Sequence, residues 1–236
     1  MEAIAAEKDI DKVLLQTKTG GQVPNELFQL LREKEIAIQF VPIEKLNRIT
    51  RKNHQGVIAF ISQISYTPLD EIIAGSYESG RDPFILVLDH LSDVRNFGAI
   101  ARTAECAGMN GIVIPDKGGV SISSDAVKTS AGALISLPVA RVSSLRESVR
   151  FLKEAGLTVV AASEKSETIL FDADLGGPIA IILGAEDKGV SPGLLELADY
   201  SVKIPLFGRI ASLNVSVAAS IMIYETIRQR LKTLAK

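Results

Sequence analysis

The sequence is poor in the residues that build metal and disulfide frameworks. Its 236 residues include one cysteine, Cys106, and two histidines, His54 and His90. One cysteine forbids an internal disulfide and a multi-cysteine zinc site, and it suits a reducing compartment. Two histidines exclude a histidine-rich metal cluster, so no metal is expected. Long apolar runs are missing as well. FILVL (84–88) and IAIIL (179–183) fall far short of the roughly 20 residues that a membrane span needs. The opening MEAIAAEKDIDK lacks a basic start followed by an apolar stretch, so it does not read as a signal peptide. A cytoplasmic protein is expected. There is no G-x-G-x-x-G and no G-x-x-x-x-G-K-[ST], which argues against a dinucleotide-dependent enzyme on a plain nucleotide-binding sheet. A surplus of positive charge is also lacking. Lys and Arg number 26 against 28 Asp and Glu, so bulk charge alone would not hold a nucleic acid.

What is present is an ordinary globular composition, 47% apolar and 23% charged. A chain of this length buries roughly 70–75% of its unfolded surface and fits one or two domains. The segment 71–83, EIIAGSYESGRDP, is rich in Gly, Ser and charge and reads as a linker between two regions. Before it, 1–70 reads as a small α/β unit: strands at 12–16, 36–41 and 56–64, with amphipathic helices at 24–36 and 44–50. After it, in 84–236, buried strands at 84–90, 111–115, 157–163, 178–184 and 200–206 alternate with helices at 96–108, 144–156 and 214–234. Such alternation indicates a mostly parallel sheet covered on both faces. Ligands of such sheets sit beyond the carboxyl ends of the strands.

Charge is distributed unevenly along the chain. Lys45, Arg48, Arg51, Lys52 and His54 fall within 45–54 with no acid among them. Such a cluster either contacts several phosphates or is a solvated basic loop. Arg228, Arg230, Lys232 and Lys236 at the other end suit the last turns of a helix.

Three glycine-containing loops follow three of the strands. In LDHLSDVRNFGAIARTA (88–104), Asn96 either caps the helix that follows or sits in the loop and meets a ligand. Arg102 lies about 240° further round that helix, so the two converge only if Asn96 is off it. An arginine on so small and apolar a face is either a buried ion pair or an anion-binding group. In ILGAEDKGVSPG (182–193), Gly184, Glu186 and Gly189 make a tight turn where backbone can approach a ligand closely. In IPLFGRIASLNVSVAAS (204–220), Ser212 or Asn214 either caps the last helix or helps its exposed N–H groups to bind a ligand. Ala218, Ala219 and Ser220 allow close packing within the domain or between subunits. Cys106 reads as a small buried apolar residue and His90 as a strand-end residue.

In their order and spacing these three segments resemble motifs 1, 2 and 3 of the SpoU/TrmH family of RNA ribose 2′-O-methyltransferases, of the SPOUT class. The stretch NRITRKNHQGVIAF (47–60) is similar to the L30e-like substrate-binding domain of family members that modify 23S ribosomal RNA. Such members begin with a few more residues, so by this resemblance either the N-terminal domain is shortened or the sequence starts inside it. The resemblance implies an α/β fold whose C-terminal sheet carries a deep trefoil knot, which periodicity does not announce. It also implies S-adenosylmethionine as methyl donor and a homodimer with its active site near the interface. By this resemblance Gly184, Ile204 and Leu213 line the adenosine pocket, with Thr129, Ser130 and Ala131 nearby. Asn96, Arg102, Glu186, Ser212 and Asn214 match the polar motif positions, and Lys45, Arg48, Arg51 and Lys52 would contact RNA.

The sulfonium already makes the methyl group electrophilic, so the work left to the protein is alignment and removal of the 2′-hydroxyl proton. The family proposal gives the proton to the motif 1 arginine, here Arg102, assisted by a substrate phosphate. An arginine with a pKa above about 12 can instead clamp the phosphate. Ser212 and Asn214 would then orient the ribose or the arginine, and Glu186 would fix loops or orient Arg102. The expected substrate is a guanosine of 23S rRNA. The alternatives are a tRNA ribose and a catalytically silent RNA-binding or ribosome-assembly protein on the same fold.

Overall fold

The computed structural model describes residue 4 and residues 9–17, 25–34, 36–185 and 187–234. The chain forms two compact units: Met1–Ser65 with Ser121–Ser123, and Tyr66–Val120 with Ser124–Lys236.

The first unit is built on β1 (Ile10–Gln16), which lies between β2 (Ile38–Val41) and β3 (Val57–Ile61). β1 runs parallel to β2 and antiparallel to β3. Successive side chains of a strand point to opposite faces. Val13 and Leu15 therefore pack with Leu27 and Leu31 of helix α1 (Asn25–Glu33), while Leu14 packs with Val41 and with Leu46 of α2 (Ile43–Ile49).

The second unit holds a six-stranded parallel sheet of order β6-β5-β4-β8-β7-β9. Its strands are β4 (Phe84–Asp89), β5 (Gly111–Pro115), β6 (Val139–Val142), β7 (Thr158–Ala162), β8 (Ile179–Gly184) and β9 (Tyr200–Val202). β4 is buried along its whole length, as a central parallel strand with both faces covered must be. On one face Ile85, Val87, Val159 and Ile182 pack against α3 (Leu69–Glu78), α7 (Leu145–Glu154) and α8 (Pro192–Leu195). The other helices are α4 (Val94–Cys106), α5 (Ser124–Thr129), α6 (Ala133–Ser136) and α9 (Val215–Leu234). Helix α9 packs along α4, where the Thr103 and Ser220 hydroxyls meet at 3.1 Å.

Three expectations are corrected here. The 71–83 segment is not an irregular linker, because most of it is α3. Leu69, Ile72 and Ile73 recur at helical spacing and are buried in the sheet core, and that burial outweighs the Gly and Ser content. Asn96, open between cap and loop in the sequence, is neither. Asp93 caps α4 by accepting from the Asn96 N–H at 2.8 Å, so Asn96 is already helical. Cys106 is exposed rather than buried, because it ends α4 at the surface. β6, α5 and α6 were not expected. They are short, and nothing in their patterning sets them apart from a loop.

Candidate cofactor and substrate cleft

A cleft of about 140 Å³ opens at the carboxyl edge of the sheet. Its walls are the ends of β7 (Ala162 to Glu164), β8 (Leu183 to Ala185, with Gly189) and β9 (Val202 to Ile204). Leu206, Ala211, Ser212, Leu213, Val215 and Ala218 complete it from the loop into α9.

The turn after β8 is set by glycine. A Cβ on Gly184 would lie 1.9 Å from the carbonyl carbon of Gly189 and 2.2 Å from the Val190 nitrogen, so any side chain there collides with backbone. Gly189 has φ +65° and its N–H donates to the Ala185 carbonyl at 2.8 Å, which folds the loop back on its strand. Asp89 anchors the same loop from β4. Only 2% exposed, it accepts from the Ser191 N–H at 2.7 Å. The exposed His90 ring lies 3.5 Å from its other oxygen, and His90 itself turns the chain with φ +56°. The Asp89–Ser191 tie escaped the sequence reading. Its one signal is an acid closing an otherwise apolar strand.

The polar lip is made by two asparagines. Asn214 Oδ1 accepts from the backbone N–H and the hydroxyl of Ser216, at 3.0 and 2.5 Å, and so caps α9. Its Nδ2 donates to Asn96 Oδ1 at 3.0 Å. The capping reading and the site reading of Asn214 therefore both hold, because the two ends of the amide do different things.

Of the residues singled out from the sequence, Gly184, Ile204, Ser212 and Leu213 line one cleft, and Asn214 with Asn96 stands at its edge. Thr129, Ser130 and Ala131 line no part of it. Thr129 packs where a Cβ on Gly98 of α4 would sit, and the fully buried Ser130 hydroxyl donates to the Val127 carbonyl at 2.8 Å. Thr129 thus serves the contact of α5 with α4. Arg102 is exposed on α4 and makes no hydrogen bond or ion pair with a described residue, which removes the buried ion-pair reading. Glu186 lies outside the described residues.

In the first unit Lys45, Arg48, Arg51 and Lys52 are all exposed on α2 and the turn after it. His54 shapes that turn. Its Nδ1 accepts from the Gly56 N–H at 3.0 Å, which leaves Nε2–H to donate to Asn47 Oδ1 at 2.9 Å. Among the described residues no group of three or more His, Cys, Asp or Glu converges to hold a metal. No described helix is long and apolar enough to cross a membrane.

A parallel sheet with a largely apolar cleft at its carboxyl edge and a polar lip is built as the sheets that bind nucleotides or nucleosides are. Residues 83–224 match the SpoU rRNA Methylase family, and residues 1–67 match the RNA 2′-O ribose methyltransferase substrate-binding family. The Bacillus subtilis protein YacO, assigned to the TrmH family of tRNA/rRNA methyltransferases, is 34% identical over 98% of this chain and 92% of its own. The SpoU methyltransferase AviRb of Streptomyces viridochromogenes, solved with its cofactor AdoMet, is 26% identical with TM-score 0.64, covering 98% of this chain and 87% of its own. An rRNA methyltransferase from Sinorhizobium meliloti is 25% identical with TM-score 0.61, over 96% of this chain and 83% of its own. The chain belongs to the SpoU/TrmH family of RNA methyltransferases.

Proposed function

We propose that the protein transfers a methyl group from S-adenosylmethionine to the ribose 2′-hydroxyl of an RNA nucleotide, with a guanosine of 23S rRNA as its target in the cytoplasm. The observation that carries this reading is the meeting of Gly184, Ile204, Ser212 and Leu213 in one cleft beside the Asn96–Asn214 pair. The donor fits the residues present. Apolar side chains at the ends of β8 and β9 suit an adenosine, and the Gly184 turn lets backbone come close to it. S-adenosylmethionine supplies a methyl group made electrophilic by the adjacent sulfonium. The chain's own residues supply the rest. Leu183, Ile204 and Leu213 exclude water from the adenosine. Asn214 and Ser212 hold the ribose by hydrogen bonds, with Asn96 fixing the Asn214 amide. Such alignment supplies much of the acceleration of an in-line displacement.

Arg102 acts across a homodimer. It points to solvent from α4, and pairing of α4 and α9 with a second copy would carry it to the partner's cleft, where it clamps the substrate phosphate. Glu186 orients Arg102. The exposed cluster Lys45, Arg48, Arg51 and Lys52 holds RNA through its phosphates. Two features favour rRNA over tRNA: the substrate-binding family match in the first unit, and an rRNA methyltransferase relative that spans both units.

The reading is tested by mapping 2′-O-methyl sites on ribosomal and transfer RNA from cells that lack the protein. The expected result is loss of one methylated guanosine in 23S rRNA, restored by the purified protein with S-adenosylmethionine. An unchanged rRNA map with a lost tRNA site would move the target. Unchanged maps of both, with no transfer in vitro, would leave only a silent RNA-binding role.

A further inference from the structure

The loop between β9 and α9 forms one lip of the cleft. Leu206 and Ala211 line it, while the residues between them turn outward. Phe207 is 96% exposed and Ile210 79%. Phe40 and Phe171, the next most exposed phenylalanines described, still bury about half of their surface. A single apolar residue at the surface is ordinary, but Leu206, Phe207 and Ile210 form a patch within one short loop beside a polar site. The fold gains nothing from the Phe207 ring, since burial is what makes an aromatic side chain stabilising.

The surroundings of the ring favour a base. At 96% exposure the ring faces are open, and the neighbouring Gly208, where a Cβ would meet nothing within 4 Å, adds no crowding beside them. Arg209 is exposed between Phe207 and Ile210, and a cation inside the patch suits a base with its phosphate better than it suits an apolar protein surface. The same loop continues into Ser212 and Asn214. A ribose hydroxyl brought to that point must come from a nucleotide drawn out of its stack, and an unstacked base seeks a new aromatic face.

We propose that Phe207 is a stacking platform for an unpaired nucleobase of the RNA substrate, at or next to the methylated ribose, with Arg209 on the adjoining phosphate. This rests on the RNA methyltransferase reading above and adds the residue that captures the base.

The sequence contains no tryptophan, so Phe207→Trp installs the only indole, exactly where the stack forms. Unmodified 23S rRNA and poly(U) should quench its fluorescence saturably, and duplex RNA should not. In methyl transfer to rRNA extracted from cells lacking the protein, Phe207→Ala and Phe207→Leu should raise the RNA KM about tenfold. Phe207→Trp and Phe207→Tyr should stay near wild type. Affinity for S-adenosylhomocysteine and the sedimentation coefficient should not change in any variant. Absence of quenching, or equal activity of the Leu and Tyr variants, overturns the proposal. So does a change of oligomeric state in Phe207→Ala, which would assign the ring to a protein interface. Failure of the wild type to methylate any RNA would remove the enzymatic reading, while quenching by single-stranded RNA would still report the stack.

Discussion

Asn214 donates its side-chain amide to Asn96 Oδ1 at 3.0 Å, and so the first turn of α9 is tied to the first turn of α4. The same residue caps α9 through its other end. Asn214→Ala should lose both functions, with a stability cost of about 1 kcal/mol from the cap alone. Asn214→Asp keeps an acceptor for the cap and loses the donor to Asn96. It should unfold close to wild type in urea yet transfer methyl groups far more slowly. Full activity in Asn214→Asp would reduce the pair to a helix cap.

Arg102 is exposed and off the cleft of its own chain. Arg102→Ala should bind S-adenosylhomocysteine with wild-type affinity in calorimetry and lose turnover. Mixing Arg102→Ala with Asn214→Ala subunits should recover activity that neither variant shows alone. No recovery on mixing would mean that each arginine serves its own chain.

Gly184 has backbone at 1.9 Å from where a Cβ would be. Gly184→Ala must push the 185–190 loop off its strand, at a cost of roughly 1–3 kcal/mol. Donor binding should fall with it, because the same turn walls the cleft. Equilibrium unfolding and calorimetry on the one variant check both effects.

Glu225 on α9 is 7% exposed and accepts both Arg228 nitrogens, Nε at 2.7 Å and Nη2 at 2.6 Å, with Gln229 Nε2 at 2.8 Å. Hydrogen bonds from Arg228 hold its carboxyl below the ordinary glutamate range, against the opposing effect of burial. A depressed carboxyl stabilises the fold above its unfolded value of about 4.3, and that contribution is lost as pH falls through the lower folded value. Urea unfolding at pH 7 and below pH 4 should therefore show wild type losing more stability on acidification than Glu225→Gln. Parallel losses in the two proteins would refute the assignment.

The basic cluster makes a prediction about salt. Replacing Arg48, Arg51 and Lys52 with glutamine should weaken RNA binding and flatten its dependence on salt by about one unit of log–log slope per lost phosphate contact. An unaltered slope would leave these side chains as solvated surface.

The buried strands were legible because parallel strands covered on both faces read as continuous apolar runs, and β4 and β8 do. Helices α7 and α9 were legible from their spacing, with Ser144 as the cap of α7. Helix α3 was hidden because Gly75, Ser76 and Gly80 carry a strong loop signal, while the burial of Ile72 and Ile73 is decided by a sheet still to come in the chain. The cleft residues of motifs 2 and 3 were legible through resemblance. Asn96 stayed open between cap and loop because it is a good capping residue, as Asp93 is too, and only the hydrogen bond from the Asn96 N–H to Asp93 sets it inside the helix. Thr129 to Ala131 were placed near the cleft through resemblance, yet Thr129 packs beside Gly98 and the Ser130 hydroxyl is spent on the Val127 carbonyl.

Arg230, near the end of α9, reaches back across the sheet. It donates to the carbonyls of Asp82, Pro83 and Gly177 at 3.2, 3.1 and 2.6 Å, and its guanidinium lies 4.8 Å over the Phe84 ring. The helix whose first turn edges the cleft is thus pinned near its other end to the feet of β4 and β8. Without that clamp every residue of the cleft would still be present, but the far end of α9 would come loose and the wall carried by its first turn would be free to shift.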